Sequence, residues 1–211
     1  MTAPLLDWAR PALASAFSLW GSPVTWLELA AFGLSLAMVA ANIRVRPVAW
    51  PLAMAAALLY ALLFADARLY GQVALQLFFV AVSAWGWWQW LHGRGTDGGA
   101  LVVHRLAPRA RLAALAGTAA AWPLLALALA RGTDSPVPWA DALATTASVT
   151  GQLLLGRKAI ENWPVWLAVN LFSVALFASR QLWLTALLYA LFAALSVVGW
   201  RAWCARLAAD G

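Results

Sequence analysis

The chain contains two copies of one sequence unit, offset by 113 residues. Residues 26–90 align with residues 139–203 without a gap, and about three positions in ten are identical over roughly 65 residues. A duplicated unit in an apolar chain is typical of membrane transporters, whose folds are built from internal repeats. The identities that chance explains least are Trp26 with Trp139, Arg44 with Arg157, Trp50-Pro51 with Trp163-Pro164, Phe64 with Phe177, Phe79 with Phe192, Ser83 with Ser196, Gly86-Trp87 with Gly199-Trp200, and Trp90 with Trp203.

The composition places both copies in a lipid bilayer. Apolar residues make up 64% of the sequence and charged residues 10%, whereas soluble domains are about 45–50% apolar and about 25% charged. The 15 tryptophans agree with this, because Trp is favoured at the membrane–water interface. The net charge of +6 lies mostly in short loops between apolar runs, so it indicates membrane topology and not a nucleic-acid surface.

Apolar runs bounded by charges, Pro or Gly predict seven membrane spans. Three spans belong to each copy and one lies between the copies, so the fold class is an all-α integral membrane protein with two parallel three-helix repeats joined by a fourth helix. The spans cover about 25–43, 49–65, 69–91, 111–130, 139–156, 163–179 and 181–201. The domains are an N-terminal interfacial segment (1–22), repeat 1 (25–91), a linker with the central helix (92–138), repeat 2 (139–203) and a cytoplasmic tail (204–211).

The distribution of Lys and Arg predicts the orientation in the membrane. With seven spans, ten of these residues fall on one side and four on the other. Because cytoplasmic loops carry the basic excess, the N-terminus is expected outside and the C-terminus in the cytoplasm. We expect residues 5–19 to form an interfacial amphipathic helix and the Gly-rich basic segment 92–110 to be a linker, not a phosphate-binding loop. The single cysteine, Cys204, excludes an internal disulfide and a multi-cysteine metal site.

Polar and aromatic residues recur at helical spacing on three of the predicted spans. Polar side chains inside a membrane span usually face a cavity or a partner helix, so these stripes are candidates for lining a central site. The stripes are Gln72, Gln76, Phe79, Ser83, Trp87 and Trp90 on the third span; Thr185, Tyr189, Phe192, Ser196, Trp200 and Trp203 on the seventh; and Trp163, Trp166, Asn170, Ser173 and Phe177 on the sixth.

Asn170 has two possible roles. Its amide near mid-span offers two donors and an acceptor, which suits a neutral polar ligand. The alternative is a hydrogen bond between helices, worth about 0.6 kcal/mol on average. Ser83, Ser173 and Ser196 have the same two readings, because small hydroxyl residues also mark close helix packing. Trp87 and Trp166 share a face with a polar residue and are candidate ligand contacts, whereas the other tryptophans fit an interfacial belt.

The positions of the titratable residues favour passive transport. Every acid lies in a loop or near a span end, and both histidines fall in the 92–110 linker. A proton-driven transporter usually needs a titratable group at membrane depth, and a membrane hydrolase needs a nucleophile with a base or a metal. We therefore expect a uniporter and not an enzyme, with no cofactor and no metal site. The acids are Asp7, Glu28, Asp66, Asp97, Asp134, Asp141, Glu161 and Asp210.

Two strings of residues resemble the signatures of the PnuC family of nicotinamide riboside transporters. Leu69-Tyr70, Gln76, Phe78-Phe79 and Gly86-Trp87-Trp88-Gln89-Trp90 are similar to the third-helix signature, and Arg157-Lys158-Ala-Ile-Glu161-Asn162-Trp163-Pro-Val-Trp166, Asn170, Phe177, Tyr189 and Gly199 through Trp203 to the second-repeat signature. The resemblance covers nearly all of residues 25–203. It implies a full-length SWEET-like fold of three, one and three helices, often assembled as a homotrimer. It also implies facilitated diffusion of an unphosphorylated vitamin across the bacterial cytoplasmic (inner) membrane, trapped inside by a separate cytoplasmic kinase for NAD synthesis.

The resemblance also implies a substrate site. Carried over residue by residue, it points to Gln76, Trp87, Trp163, Trp166, Asn170 and Tyr189, to which the stripes add Gln72 and Ser173. A cationic pyridinium ring would stack on Trp or Tyr by cation–π attraction, worth about 0.5–2 kcal/mol per contact.

One departure from the family pattern keeps the substrate open. Members often carry an Asn in the second span, where this chain has Ala55-Ala56-Ala57. That loss favours thiamine or another vitamin as an alternative substrate. A membrane scaffold that transports nothing, with its stripes as helix interfaces, is the alternative from a different class.

Overall fold

The computed structural model describes residues 10–19, 22–66, 70–95, 98–133, 137–179 and 183–209, without the side chains at 22, 70–72, 177 and 183–185. The described residues form eight helices and one two-stranded antiparallel sheet. The chain divides into two compact units, Met1–Leu91 and His92–Gly211. The elements are α1 (Arg10–Leu13), β1 (Ser15–Leu19), β2 (Ser22–Thr25), α2 (Trp26–Ile43), α3 (Ala49–Asp66), α4 (Tyr70–His92), α5 (Pro108–Gly132), α6 (Pro138–Gly156), α7 (Asn162–Ser179) and α8 (Trp183–Ala209).

The structure confirms a mainly helical protein with apolar helices of membrane-spanning length. Within the described residues, four helical segments are long and apolar enough to cross a bilayer: α2, α3, α5 and Ala186–Ala209 of α8. Asn162–Leu176 of α7 is a shorter apolar segment. α4 and α6 have sufficient length but carry amides and hydroxyls, such as Gln76 in α4 and Gln152 in α6. Such helices are expected to turn their polar side chains away from lipid.

The N-terminal segment does not form the helix predicted for residues 5–19. In its described part only Arg10–Leu13 is helical, and Ser15–Leu19 pairs with Ser22–Thr25 as a β-hairpin; residues 5–9 lie outside the described residues. The physical reason is local: serines and the Gly-Ser-Pro string at 21–23 disfavour a helix. Thr25 then starts α2, because its hydroxyl accepts a hydrogen bond from the Glu28 N–H at 3.1 Å.

The helices of the two copies have matching bounds. Adding 113 to the last residue of α2 gives the last residue of α6, and the same offset maps both ends of α3 onto α7 and the first residue of α4 onto α8. The duplication in the sequence is therefore a duplication of local structure. α5 lies between the two copies in the chain and has no counterpart in the repeat.

The turn after the first helix has the same backbone in both copies. Val45 and Lys158 occupy corresponding positions, and each has a φ of 55°. Only a minority of non-glycine residues adopt this left-handed conformation, which costs on the order of 1 kcal/mol. In both copies it closes a Schellman motif on the preceding helix. The bonds are Val45 N to Asn42 O at 3.0 Å and Arg46 N to Ala41 O at 2.9 Å, then Lys158 N to Leu155 O at 2.9 Å and Ala159 N to Leu154 O at 2.9 Å.

Helix packing is described within each unit separately. In the first unit α2 packs on α3, as expected for helices joined by a short turn. In the second unit α5 packs on α6, α6 on α7 and α7 on α8. α7 and α8 carry most of the residues predicted for the site.

Candidate functional site

A buried polar pair joins α7 to α8 in the second unit. Asn170 donates from Nδ2 to the Ser196 hydroxyl at 3.2 Å, and Ser196 in turn donates to the Phe192 carbonyl at 2.8 Å. Both side chains are buried, as is Ser173, which lies one turn from Asn170 on α7. The structure thus brings three of the stripe residues into one polar cluster at mid-helix depth.

The first copy holds only part of this cluster. Ser83 corresponds to Ser196 and is buried on α4, but the position of Asn170 is taken by Ala57, which is also buried. The amide is therefore present in one copy alone. Nδ2 of Asn170 already bonds Ser196. Because the amide also has a second donor hydrogen and a carbonyl acceptor, Asn170 is the strongest candidate for contact with a polar solute.

Matching tryptophan and glycine contacts lie in each copy about one turn beyond the buried serine of its last helix. The Trp163 ring meets Trp203 edge to face, with centroids 5.5 Å apart and planes at 88°. Gly199 lies directly under the same indole, since a Cβ on Gly199 would overlap the Trp163 ring. Trp50, Trp90 and Gly86 repeat this arrangement in the first unit at 5.5 Å and 85°.

Two of the four buried indoles among the described residues do not use their N–H groups. Trp50 and Trp163 are 1% and 4% exposed, and among the described residues neither Nε1 has a hydrogen-bond partner. Trp163, a predicted ligand contact, is thus placed in the packing of α7 against α8. Trp87 is 39% exposed, because the buried face of α4 follows Ser83, Gly86 and Trp90.

The remaining predicted site residues lie on the same helices with intermediate exposure. Trp166 is half-buried over α6, with its ring 3.1 Å from the position of a Cβ on Gly151. Tyr189 is half-buried and meets Phe192 at a centroid distance of 6.3 Å. Gln76 is half-buried on α4. The side chains of Gln72, Thr185 and Phe177 lie outside the described residues.

Buried polar side chains on α6 were not predicted from the sequence. Gln152 and Thr146 are buried on this helix, and Gly151 lies against Trp166. The signal was present: α6 has an amide and several hydroxyls in 19 residues. Trp139 is the one aromatic residue of α6, so the polar-aromatic pattern of the other stripes does not mark this helix.

The turn between α6 and α7 holds the linker that precedes α5. Glu161 accepts the Leu106 N–H through both carboxylate oxygens, at 3.1 and 3.2 Å, and pairs with Arg111 at 2.9 Å. His104 exchanges backbone hydrogen bonds with this turn, donating to Lys158 O at 3.2 Å and accepting from Ile160 N at 3.0 Å. We call these contacts of His104, Leu106 and Arg111 with residues 158–161 the linker clamp; the sequence did not predict it. The first copy has Val45 and Val48 at the positions of Lys158 and Glu161.

Lys158 takes part in the clamp with its side chain. Its Nζ donates to the Leu101 carbonyl at 2.8 Å. Burial of the ammonium in this turn lowers the pKa of Lys158, because the charged form loses solvation.

The chemistry available at mid-helix is hydrogen bonding and ring contact. Of the described acids, Glu28 and Asp141 lie in the first turns of α2 and α6, Asp66 ends α3, and Glu161 lies in the clamp. Among the described residues no group of three His, Cys, Asp or Glu side chains could hold a metal ion. The polar cluster of Asn170, Ser173 and Ser196 suits a neutral polar group or a ring.

Comparisons with known sequences agree on a transporter. The family model described as nicotinamide mononucleotide transporter matches residues 25–205. The riboflavin/roseoflavin transporter RibM of Streptomyces davaonensis is 28% identical over 201 residues, which is 93% of this chain and 93% of RibM. The nicotinamide riboside transporter PnuC of Escherichia coli is 24% identical over 169 residues, covering 69% of this chain and 71% of PnuC.

The fold has a counterpart among solved structures. A crystal structure of the vitamin B3 transporter PnuC matches this chain with a TM-score of 0.68 at 22% sequence identity. The match covers 85% of this chain and 80% of that chain. At this level of identity the likeness shows a shared fold.

Proposed function

This chain belongs to the nicotinamide mononucleotide transporter family, and on that premise we propose that it is a uniporter for nicotinamide riboside. The proposed activity is facilitated diffusion of the unphosphorylated vitamin into the cytoplasm, where a kinase traps it for NAD synthesis. The observation that carries the proposal is the buried Asn170–Ser196 pair on α7 and α8. Its amide offers hydrogen bonds to a ribose or carboxamide without placing a charge at membrane depth.

The positions of the charged residues support a passive mechanism. Ionisable groups at membrane depth usually serve proton or ion coupling, whereas the described acids of this chain lie at helix ends or in the clamp. Without coupling, net flow follows the gradient of the free vitamin. Phosphorylation inside the cell removes the free vitamin, so the kinase supplies the direction.

The ligand contacts that we propose in the second unit are Asn170, Ser173, Trp166 and Tyr189. The half-buried rings of Trp166 and Tyr189 are available for stacking on a pyridinium ring, at about 0.5–2 kcal/mol for each contact. Trp163 is proposed to fix α7 against α8, since it is packed on Gly199 and Trp203. Gln72, Gln76 and Trp87 on α4 stay predictions that rest on the family resemblance.

The membrane arrangement is part of the proposal. We place seven spans in the bacterial cytoplasmic (inner) membrane, as three helices, a fourth and three more, in the SWEET-like order. The N-terminus is outside and the C-terminus cytoplasmic, as the ten-to-four division of Lys and Arg favours. Assembly as a homotrimer comes from the family resemblance.

Riboflavin is a second candidate substrate. RibM is similar to this chain over 93% of both proteins, and Ala57 leaves more room in the first copy than the Asn that family members often carry. A neutral flavin ring would use the same aromatic stacking but not the cation–π attraction. Thiamine remains the cationic alternative.

Calorimetry on the purified protein in detergent tests the assignment. Nicotinamide riboside, its phosphorylated form, riboflavin and thiamine are compared side by side. Binding of the riboside without its phosphorylated form supports the proposal, and uptake into proteoliposomes that equilibrates without accumulation supports uniport. Selective binding of riboflavin or thiamine would reassign the substrate, and binding of none of them would favour the scaffold alternative.

A further inference from the structure

A groove lies between α5 and α6 in the second unit, away from the polar cluster of α7 and α8. Its volume is about 480 Å³. Thr118 on α5 contacts Thr150 on α6, and Trp122 donates to the carbonyl of Trp139 at 2.9 Å, so the two helices run antiparallel. The lining residues are Ala113, Ala114, Gly117, Thr118, Ala121, Leu125, Thr145, Thr146, Val149, Thr150, Leu153, Leu154 and Arg157.

The groove has the depth of one membrane leaflet. On α6 it runs from Thr145 to Arg157, a rise of about 18 Å at 1.5 Å per residue. The hydrocarbon core of a bilayer is about 30 Å thick, so the groove spans roughly half of it. A groove of this length, open at the surface of an exposed helix, has the dimensions of a lipid chain.

The groove offers few free hydrogen-bonding groups, although threonines line part of it. The Thr118 and Thr150 hydroxyls bond each other at 2.6 Å, and Thr150 and Thr146 also donate to the carbonyls one turn earlier in α6. These hydroxyls have partners already, so a polar solute would gain little from them. On α5 the surface is set by small residues four apart, Ala113, Gly117 and Ala121.

Two arginines stand at one end of the groove. Arg157 lines it just beyond α6, and Arg109 lies one turn before Ala113 on the same stripe of α5. Both are exposed, and among the described residues neither guanidinium has a hydrogen-bond or ion-pair partner. Long basic side chains at the end of a membrane helix reach the headgroup region, where a phosphate offers a bidentate acceptor.

We propose that the α5–α6 groove binds an anionic phospholipid, with one acyl chain along Ala113, Gly117 and Ala121 and the headgroup phosphate on Arg109 and Arg157. Charge complementarity selects the anionic lipid, and the apolar walls select its chain. This site is separate from the substrate residues and does not depend on which vitamin is carried.

The first copy supplies a matched control. Arg44 corresponds to Arg157 and ends α2 with nearly the same backbone angles. What precedes α2 is a β-hairpin, whereas α6 follows α5. The arginine is therefore duplicated, whereas the described residues of the first unit include no counterpart of α5 to form such a groove with α2. Gly117→Leu places a side chain in the groove, where a Cβ at Gly117 meets nothing within 4 Å. Gly33→Leu on α2 is its control, because a Cβ at Gly33 also has open space.

Native mass spectrometry and thermal unfolding of the delipidated full chain in detergent test the proposal. Phosphatidylglycerol, phosphatidylcholine with the same acyl chains, and inorganic phosphate are added to wild type, to the double variant Arg109→Gln/Arg157→Gln, to Gly117→Leu and to the controls Arg44→Gln and Gly33→Leu. We expect phosphatidylglycerol to bind wild type and both controls, and to bind the double variant and Gly117→Leu at least tenfold more weakly.

Several results would overturn the lipid site. If phosphatidylcholine binds as tightly as phosphatidylglycerol, the arginines do not select the lipid. If inorganic phosphate raises the unfolding temperature as much as phosphatidylglycerol does, the acyl chain does not contribute to binding. Equal losses in Arg44→Gln would show a general effect of charge, and unchanged binding to Gly117→Leu would place the lipid elsewhere. If neither lipid binds and Gly117→Leu instead disrupts a concentration-dependent oligomer, the occupant of the groove is a second copy of the chain.

Discussion

The amide of Asn170 donates to the hydroxyl of Ser196 across 3.2 Å, and in the first copy the same two positions hold Ala57 and Ser83. The serine is common to both copies, whereas the amide belongs to one. A bond needed only for helix packing would serve both copies equally. The presence of the amide in the second copy alone is expected if Asn170 contacts the transported solute.

Asn170→Ala is expected to lower uptake of the transported vitamin at least about tenfold, which corresponds to about 1.4 kcal/mol of lost interaction. Its effect on stability should be small, because an interhelical hydrogen bond in a membrane protein averages about 0.6 kcal/mol. Uptake into proteoliposomes and thermal unfolding in detergent measure the two quantities.

Ser196→Ala is the control for this prediction, since it removes the same bond and leaves the amide in place. Its uptake should fall less than that of Asn170→Ala, because the amide that we propose to contact the vitamin is retained. Equal loss of uptake in both variants would mean that Asn170 acts only through α8. If Asn170→Leu gains stability while the wild type carries no vitamin, the scaffold alternative is correct.

Gly199→Ala and Gly86→Ala should each destabilise the protein by about 1–3 kcal/mol, the usual cost of overfilling a packed site. The added methyl would overlap the Trp163 ring in one case and the Trp50 ring in the other. Gly33→Ala is the matched control on α2, where a Cβ has open space, and it should gain up to about 1 kcal/mol from helix propensity. The unfolding temperatures of the three variants in one detergent test this prediction. Similar shifts in all three would contradict the contacts of Gly199 and Gly86 with the tryptophan rings.

Glu161→Ala should loosen the linker clamp more than Glu161→Gln does. The alanine leaves the Leu106 N–H without its acceptor, at about 1–3 kcal/mol. The glutamine keeps an acceptor there and loses only the pair with the exposed Arg111, worth at most about 1 kcal/mol. Limited proteolysis within residues 98–107, together with thermal unfolding, reads out the clamp. Val48→Ala, at the corresponding position of the first copy, should leave both unchanged.

Lys158 should make the protein more stable as the pH rises towards the unperturbed lysine pKa of about 10.4. Burial lowers the pKa of Lys158 in the folded protein, so the unfolded chain holds this proton to a higher pH. The charged form therefore destabilises the folded state at lower pH, and the penalty fades between the folded and unfolded pKa values. Unfolding midpoints of wild type and Lys158→Met, compared across this interval, should diverge in favour of wild type with rising pH; a constant difference would contradict the shift.

Much of this architecture could be predicted from the sequence because it repeats. The 113-residue offset located the corresponding helices, and helical spacing placed Asn170, Ser173 and Ser196 on faces that do meet or lie buried. Periodicity does not tell which neighbour of a stripe is buried. Trp90 is buried on α4 and Trp87 is 39% exposed, and contact of Trp87 with the ligand stays a prediction.

Long-range and irregular features were beyond such reasoning. The clamp joins Glu161 to Leu106 and Arg111 across 50 or more residues, and spacing carries no information about such contacts. The β-hairpin at 15–25 depends on strand pairing, which a helical pattern conceals. The family string predicts Trp163 as a ligand contact, which stays a prediction, but it gives no sign that Gly199 lies beneath the ring.

The left-handed turn shared by Val45 and Lys158 shows what has been inherited in this molecule. Since the gene was doubled, one copy has come to hold a valine there and the other a lysine, and neither is the glycine that would relieve the backbone. Descent has preserved a dihedral angle through a change of side chain. At this turn the backbone conformation therefore preserves the common origin of the two copies better than the amino-acid sequence does.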